Sequence, residues 1–374
     1  MNKIYLDNAS TTPIRQEVIQ EMANVMQTEF GNPSSTHSFG RGAKVILESA
    51  RKSIAKQLNC SAQEIIFTSS GTEANNWILR NAVTKIGVKR IISTKIEHHA
   101  VLYPILELQK EFGIEVEFLT ILPNGHIDYL QLATLLEDSK PTLVSLMHVN
   151  NETGVVLDLN RVGELCKSVN AYFHSDTVQS IGKTEIDLQE IKVDFLVASA
   201  HKFHGPKGIG FAFVRKNSGL QPLLFGGEQE KGLRAGTEAV HQIAGMAKAL
   251  EIAYQKLDEE RNAIFELKKY TIEKLVQQFP SIKFNGGFET FYSILNVQLP
   301  FSPEKTAMIL FELDMKGIAA SRGSACQSGS IKPSHVLAEI LSEEELKKPS
   351  LRISFNHQNT RDEIDYFISC LAAM

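Results

Sequence analysis

Between Ala62 and Arg215 short apolar runs recur, separated for the most part by helical stretches, and that rhythm leaves few folds open. The runs are Ile65–Thr68, Arg90–Thr94, Val116–Ile121, Thr142–Val149, Ala171–His174, Phe195–Ala198 and Ile209–Val214. Each is too short for a helix and reads as a buried strand. Strands that alternate with helices predict an α/β fold, a doubly wound sheet that is mainly parallel. Ligands of such sheets bind beyond the carboxyl ends of the strands. The polar motifs of this chain fall at those ends.

The flanks read differently. A short strand Ile4–Leu6 and a turn Asp7–Pro13 precede an amphipathic helix from about Ile14 to Met26, and Gly31–Gly42 reads as a long functional loop. Beyond a helical stretch at Thr237–Phe279 a smaller α+β unit is expected. It has strands near Tyr292–Gln298 and Leu351–Phe355, a helix near Pro303–Met315, a Gly/Ser-rich loop Ser321–Ser330 and a last helix opened by Thr360 and Glu363. The expected division is a large unit, residues 1–255, and a small one, 256–374, with the N-terminal segment free to pack on the latter. A net charge of -4 and a pI near 6.3 give no electrostatic reason for nucleic acid as a partner, and no apolar run is long enough for a membrane. Cys60, Cys166, Cys326 and Cys370 are scattered, and MNKIYLDNASTTP lacks a signal-peptide core, so a cytoplasmic protein with free thiols is expected.

Seven stretches carry chemistry. Ser69-Ser70-Gly71-Thr72-Glu73 follows a strand and opens a helix, which makes a phosphate site or a plain helix cap; Ser70 and Glu73 form the pattern of a capping box. His98, after Glu97, could stack on a planar ligand or move protons, or simply be a histidine at a helix start. Asn150-Asn151-Glu152 lines a strand end with amides, and Asp176 stands just past a strand, where a carboxylate needs a cationic partner such as a protonated pyridine. Lys202, in Ser199-Ala200-His201-Lys202, ends a buried strand; burial lowers its pKa and suits an amine that attacks a carbonyl. Together these specify pyridoxal phosphate, and no metal is expected. Cys326, in a loop built from Gly and Ser, reads as a mobile exposed thiol, and Arg352 within a strand could hold a substrate carboxylate or be an ordinary surface or ion-paired arginine.

Taken in order, YLDNASTTP, GNPSSTHSFGR, SSGTEANN, EHHAV, HVNNETG, HSDTVQSIGK, SAHKFHGPKGIG, GLRAGTEAV, SRGSACQSG and LRISF closely resemble the cysteine desulfurases across nearly the whole chain. The long loop around Cys326 looks like that of the subgroup supplying iron–sulfur cluster assembly. The resemblance implies the aspartate-aminotransferase-like fold (pyridoxal phosphate fold type I), with a seven-stranded sheet in the large domain. It implies L-cysteine as substrate, L-alanine as co-product, a homodimer, and a sulfur acceptor that is an iron–sulfur scaffold or a sulfur carrier. Lys202 would bond the cofactor and move the α-proton, His98 stack on the ring, Asp176 pair with the ring nitrogen and Gln179 reach the ring hydroxyl. Gly71, Thr72, Ser199 and His201 would hold the phosphate, with Thr237 supplied by the other subunit. Asn151 and Arg352 would hold the substrate carboxylate, and Cys326 would carry the persulfide. One departure is Asn356, where the family often has glycine. A selenocysteine lyase or another pyridoxal phosphate lyase of the same fold is the alternative.

Overall fold

All seven apolar runs lie in one sheet. In the computed structural model, which describes residues 3–138, 140–323 and 334–374, β1 is Ile4–Tyr5 and the sheet comprises β2 (Ile65–Thr68), β3 (Arg90–Ser93), β4 (Glu115–Phe118), β5 (Thr142–Ser145), β6 (Tyr172–Asp176), β7 (Phe195–Ser199) and β8 (Gly210–Val214). Their order is β2-β8-β7-β6-β5-β3-β4. Neighbours from β7 to β4 are parallel, whereas β8 runs antiparallel to both β7 and β2. Two reversals cancel, so β2 points the same way as β7. Six carboxyl ends therefore open on one edge.

Both faces of the sheet are buried. Ile65 and Phe67 enter one core with Ile92, Val144, Phe173 and Leu196, while Ile66 between them faces another with Trp77, Ile91 and Val197. Each such side chain contributes about 1.5–3 kcal/mol on burial, which fixes the register of the strands. The helices Gln16–Thr28, Ser38–Gln57 and Val240–Gln255 pack on one another. The second of these starts inside the stretch read from sequence as a loop. His37 caps it by accepting a hydrogen bond from Gly40 N at 3.3 Å, and histidine is an uncommon capping residue.

A separate core gathers Leu295, Val297, Leu351, Ile353, Ile364 and Phe367 together with Ile4 and Leu6 of the N-terminus. Here β9 (Lys283–Phe284), β10 (Ile294–Gln298) and β12 (Ser350–Ser354) form an antiparallel sheet, and β11 (Ile318–Ala319) pairs in parallel with β1. Helix Leu257–Gln278 packs on the last helix, Arg361–Ala372, which Thr360 and Glu363 open as a capping box. Among the described residues no helix is long and apolar enough to cross a membrane.

Candidate active site

A cavity of about 240 Å³ opens at the carboxyl ends of the parallel strands. Its upper wall is the start of helix Gly71–Asn81. Ser70 Oγ accepts from Glu73 N at 3.2 Å, but the Glu73 carboxylate takes Ser69 N and Arg234 instead of closing a capping box on Ser70. Gly71 is required by close approach, because a Cβ there would stand 2.8 Å from Val178 Cγ2. Thr72, Ser199 and His201 line the same end. Free N–H groups and the positive helix end suit this wall to an anion.

The floor is Asp176, the last residue of β6. Its Oδ2 accepts from Asn75 Nδ2 at 2.8 Å and its Oδ1 from Val178 N at 3.0 Å. Asn75 Oδ1 then pairs with His174 Nε2 at 3.0 Å, and His174 Nδ1 with Ser145 Oγ at 2.9 Å. Because Asn75 donates to Asp176, it must accept from His174, so the imidazole is the Nε2–H tautomer. Burial keeps that ring neutral, with its pKa pushed down to about 4. Sequence reading overlooked Asn75 as a functional residue, although it stands one helical turn after Gly71 on the buried face.

His98 is the N-cap of helix His99–Phe112, and its Nδ1 accepts from Ala100 N at 3.1 Å. Nδ1 is thereby committed as an acceptor, and the neutral ring carries its proton on Nε2. Burial lowers the His98 pKa, which favours that neutral form. Lys202 ends the short turn Ala200–Lys202 after β7, and its Nζ donates to the carbonyls of Ala9 and Ser10 at 2.6 and 2.8 Å. Burial, helped by the charges of Arg352 and Lys183, pulls the Lys202 pKa down to about 7. Gln179 donates Nε2 to Ala9 O at 2.8 Å, and its buried Oε1 has no partner among the described residues.

Arg352 reaches the cavity from β12 in the second core and is 1% exposed. It donates to Asn151 O at 2.8 Å, Asp7 Oδ1 at 2.8 Å and Ser10 Oγ at 2.6 Å. Asn151 also lines the cavity. The contacts with Asp7 and Ser10 were not anticipated from sequence. Thr237 is exposed and does not line this cavity; it follows a segment in which Glu230, Lys231 and Gly232 are all left-handed (φ 47°, 60° and 76°). Cys326 lies outside the described residues. Among the described residues no group of three or more His, Cys, Asp or Glu is placed to hold a metal ion.

These donors and acceptors fit pyridoxal phosphate. The helix start could take a phosphate, the Asp176 carboxylate could pair with a ring nitrogen, the orphaned Gln179 Oε1 could accept from a ring hydroxyl, and Lys202 could offer an amine of low pKa to the aldehyde.

The family model Aminotransferase class-V matches residues 4–367. The chain is 39% identical to the cysteine desulfurase IscS of Dictyoglomus turgidum over 371 residues, 99% of this chain and 93% of that one. Among solved structures a NifS-like protein superposes with a TM-score of 0.91 at 34% identity, covering 100% of this chain and 99% of its own. A structure described as SspA in complex with cysteine gives a TM-score of 0.81 at 31% identity, over 96% of this chain and all of its own. With that identity sustained along the whole chain, the protein belongs to the class-V aminotransferase family and, within it, to the cysteine desulfurases.

Proposed function

We propose that this protein takes sulfur from L-cysteine with pyridoxal phosphate as cofactor, releasing L-alanine and leaving a persulfide on Cys326. The observation that carries the reading is the convergence of Lys202, His98, Asp176 and Arg352, from separate strand ends and from both cores, on one cavity. The SspA structure solved with cysteine supports cysteine as the substrate.

Bound pyridoxal phosphate supplies an electron sink for charge that develops at the substrate α-carbon. The chain supplies the rest. Helix Gly71–Asn81 and Thr72, Ser199 and His201 would hold the phosphate, and Asp176, braced by Asn75, would favour a protonated ring nitrogen. His98 lines the cavity with its Nδ1 committed to Ala100 N, so it would offer a proton from Nε2 to the bound group. Burial lowers the Lys202 pKa to about 7, which favours the free amine near neutral pH, so it can both anchor the cofactor and carry the α-proton. Arg352, with Asn151, orients the substrate carboxylate. The Cys326 thiolate attacks the substrate sulfur, the C–S bond breaks, and the carbon gains a proton to become alanine.

We place this chemistry in a homodimer in the cytoplasm, with Thr237 of each subunit reaching the other subunit's phosphate. The unit 1–255 carries the cofactor, and 256–374 carries Arg352 and Cys326. The sulfur then passes to an acceptor protein, an iron–sulfur scaffold or a sulfur carrier. The test is an absorbance spectrum of purified protein before and after L-cysteine, with alanine and sulfide assayed in parallel. A cofactor band that shifts, with both products formed, is expected. Turnover of selenocysteine with none of cysteine, or protein that cannot bind pyridoxal phosphate, overturns the reading.

A further inference from the structure

Arg352 is already engaged with a carboxylate of this chain. Its Nη2 gives one hydrogen to Asp7 Oδ1 and the other to Ser10 Oγ, while Nη1 donates to Asn151 O and the buried Nε has no partner among the described residues. A guanidinium grips a carboxylate with two parallel N–H bonds, from Nη1 and Nη2 or from Nε and Nη2. Both forks use Nη2. A substrate carboxylate can therefore take a two-bond grip only by displacing Asp7 or Ser10.

Asp7 is more than a spare acceptor. The same Oδ1 also accepts from Ser10 Oγ and from Ser321 Oγ, both at 2.9 Å. Ser321 pairs with Arg352 through its backbone as well, by N–H to O bonds of 2.6 and 3.3 Å. Asp7 thus joins the N-terminal turn, the arginine and Ser321 in one cluster. We propose that Asp7 is a positioning residue that acts as an internal carboxylate, holding Arg352 in place and competing with the substrate carboxylate for Nη2. The proposal rests on Arg352 being the carboxylate site of the desulfurase reading. It makes Asp7 a determinant of how tightly amino acids bind, and Ser321 a residue that weakens or strengthens that competition.

The test uses the cofactor-loaded full-length protein and L-alanine as the probe, with Kd read from the shift in the cofactor spectrum. Asp7→Asn keeps an oxygen acceptor at the same place but removes the charge, so Kd should fall about tenfold. Ser321→Ala strips one donor from Oδ1 and leaves Asp7 a stronger acceptor for Arg352, so Kd should rise about threefold. Arg352→Lys loses the fork and should raise Kd at least about tenfold. Opposite shifts from two neighbouring substitutions are not what general damage to the site produces. If Arg352→Lys weakens binding but Asp7→Asn leaves Kd unchanged or raises it, Asp7 is structural only and the proposal fails. If Asp7→Asn does not fold, Ser321→Ala decides alone, and an unchanged or lower Kd rejects the proposal. If Arg352→Lys changes nothing, the carboxylate role of Arg352 is wrong and the proposal falls with it, whereas the desulfurase reading is decided separately by the spectral and product assay.

Discussion

Replacing Asn75 by alanine breaks a buried chain of hydrogen bonds that runs from Asp176 through His174 to Ser145. Asn75, His174 and Ser145 are 1%, 0% and 0% exposed, and Asp176 is 7% exposed. Loss of Nδ2 takes one of the two donors from Asp176, and loss of Oδ1 leaves His174 Nε2–H without an acceptor. At about 1–3 kcal/mol for each stranded buried group, Asn75→Ala should destabilise the protein by about 2–6 kcal/mol. That is a large share of the roughly 5–15 kcal/mol that holds a domain folded. The assay is at hand, since the chain has a single tryptophan and it is Trp77, two residues along the same helix. Trp77 is 2% exposed and donates Nε1 to Gln221 O at 2.7 Å, so its fluorescence in a urea titration reports the helix that carries Asn75. With less support for its charge Asp176 should also hold the cofactor less tightly. Asn75→Asp sets a second carboxylate beside Asp176 and should weaken the cofactor further. A loss below about 1 kcal/mol with cofactor affinity unchanged would refute the claim that this chain of bonds braces Asp176.

With the Lys202 pKa lowered to about 7, the rate at which apoprotein takes up pyridoxal phosphate should rise about tenfold from pH 6 to pH 8 and then level off. A rate still climbing steeply above pH 9 would mean an ordinary lysine, with its pKa at roughly 10.4. For the proposed dimer, mixing inactive Lys202→Ala protein with Thr237→Asp protein and allowing subunits to exchange should restore about a quarter of wild-type sites, because one site per mixed dimer has both residues intact; no recovery would refute a cross-subunit role for Thr237. The Arg51–Glu230 pair, 2% exposed on both sides with two bonds of 2.7 Å, anchors the segment leading to Thr237. Glu230→Gln should cost about 3–5 kcal/mol in the same urea titration, and a cost near zero would show that the left-handed segment holds without it.

The cavity was legible in the sequence because its parts are strand ends. Asp176, Lys202 and His98 each stand at or shortly after the end of an apolar run, and a mainly parallel sheet brings such ends to one edge. What could not be read were the partners that depend on strand order. Asn75 meets Asp176 only because β2 and β6 lie on the same sheet with their ends aligned, although 101 residues separate the two. The contact of Asp7 with Arg352 spans 345 positions and needs the N-terminus to join the second core. Helix Ser38–Gln57 was hidden by its first turn, where Gly40, Gly42 and an unusual histidine cap look like loop residues. Glu73 shows the opposite error. Its spacing from Ser70 promised a capping box, but a bidentate contact from Arg234 draws the carboxylate away.

The central claim is that sulfur leaves cysteine onto one thiol of this chain, and peptide mass analysis of protein treated with L-cysteine tests it most directly. Cys60 and Cys166 are poor candidates, because burial pushes both thiols well above the usual cysteine pKa, Cys60 to about 12. Cys370 is buried in the second core. The expected result is one added sulfur atom on the Cys326 peptide alone, with alanine formed in step, and a Cys326→Ser variant that keeps its cofactor and its spectral response to cysteine yet releases almost no alanine. Sulfur found on another cysteine, or alanine released by Cys326→Ser at the wild-type rate, would contradict the account.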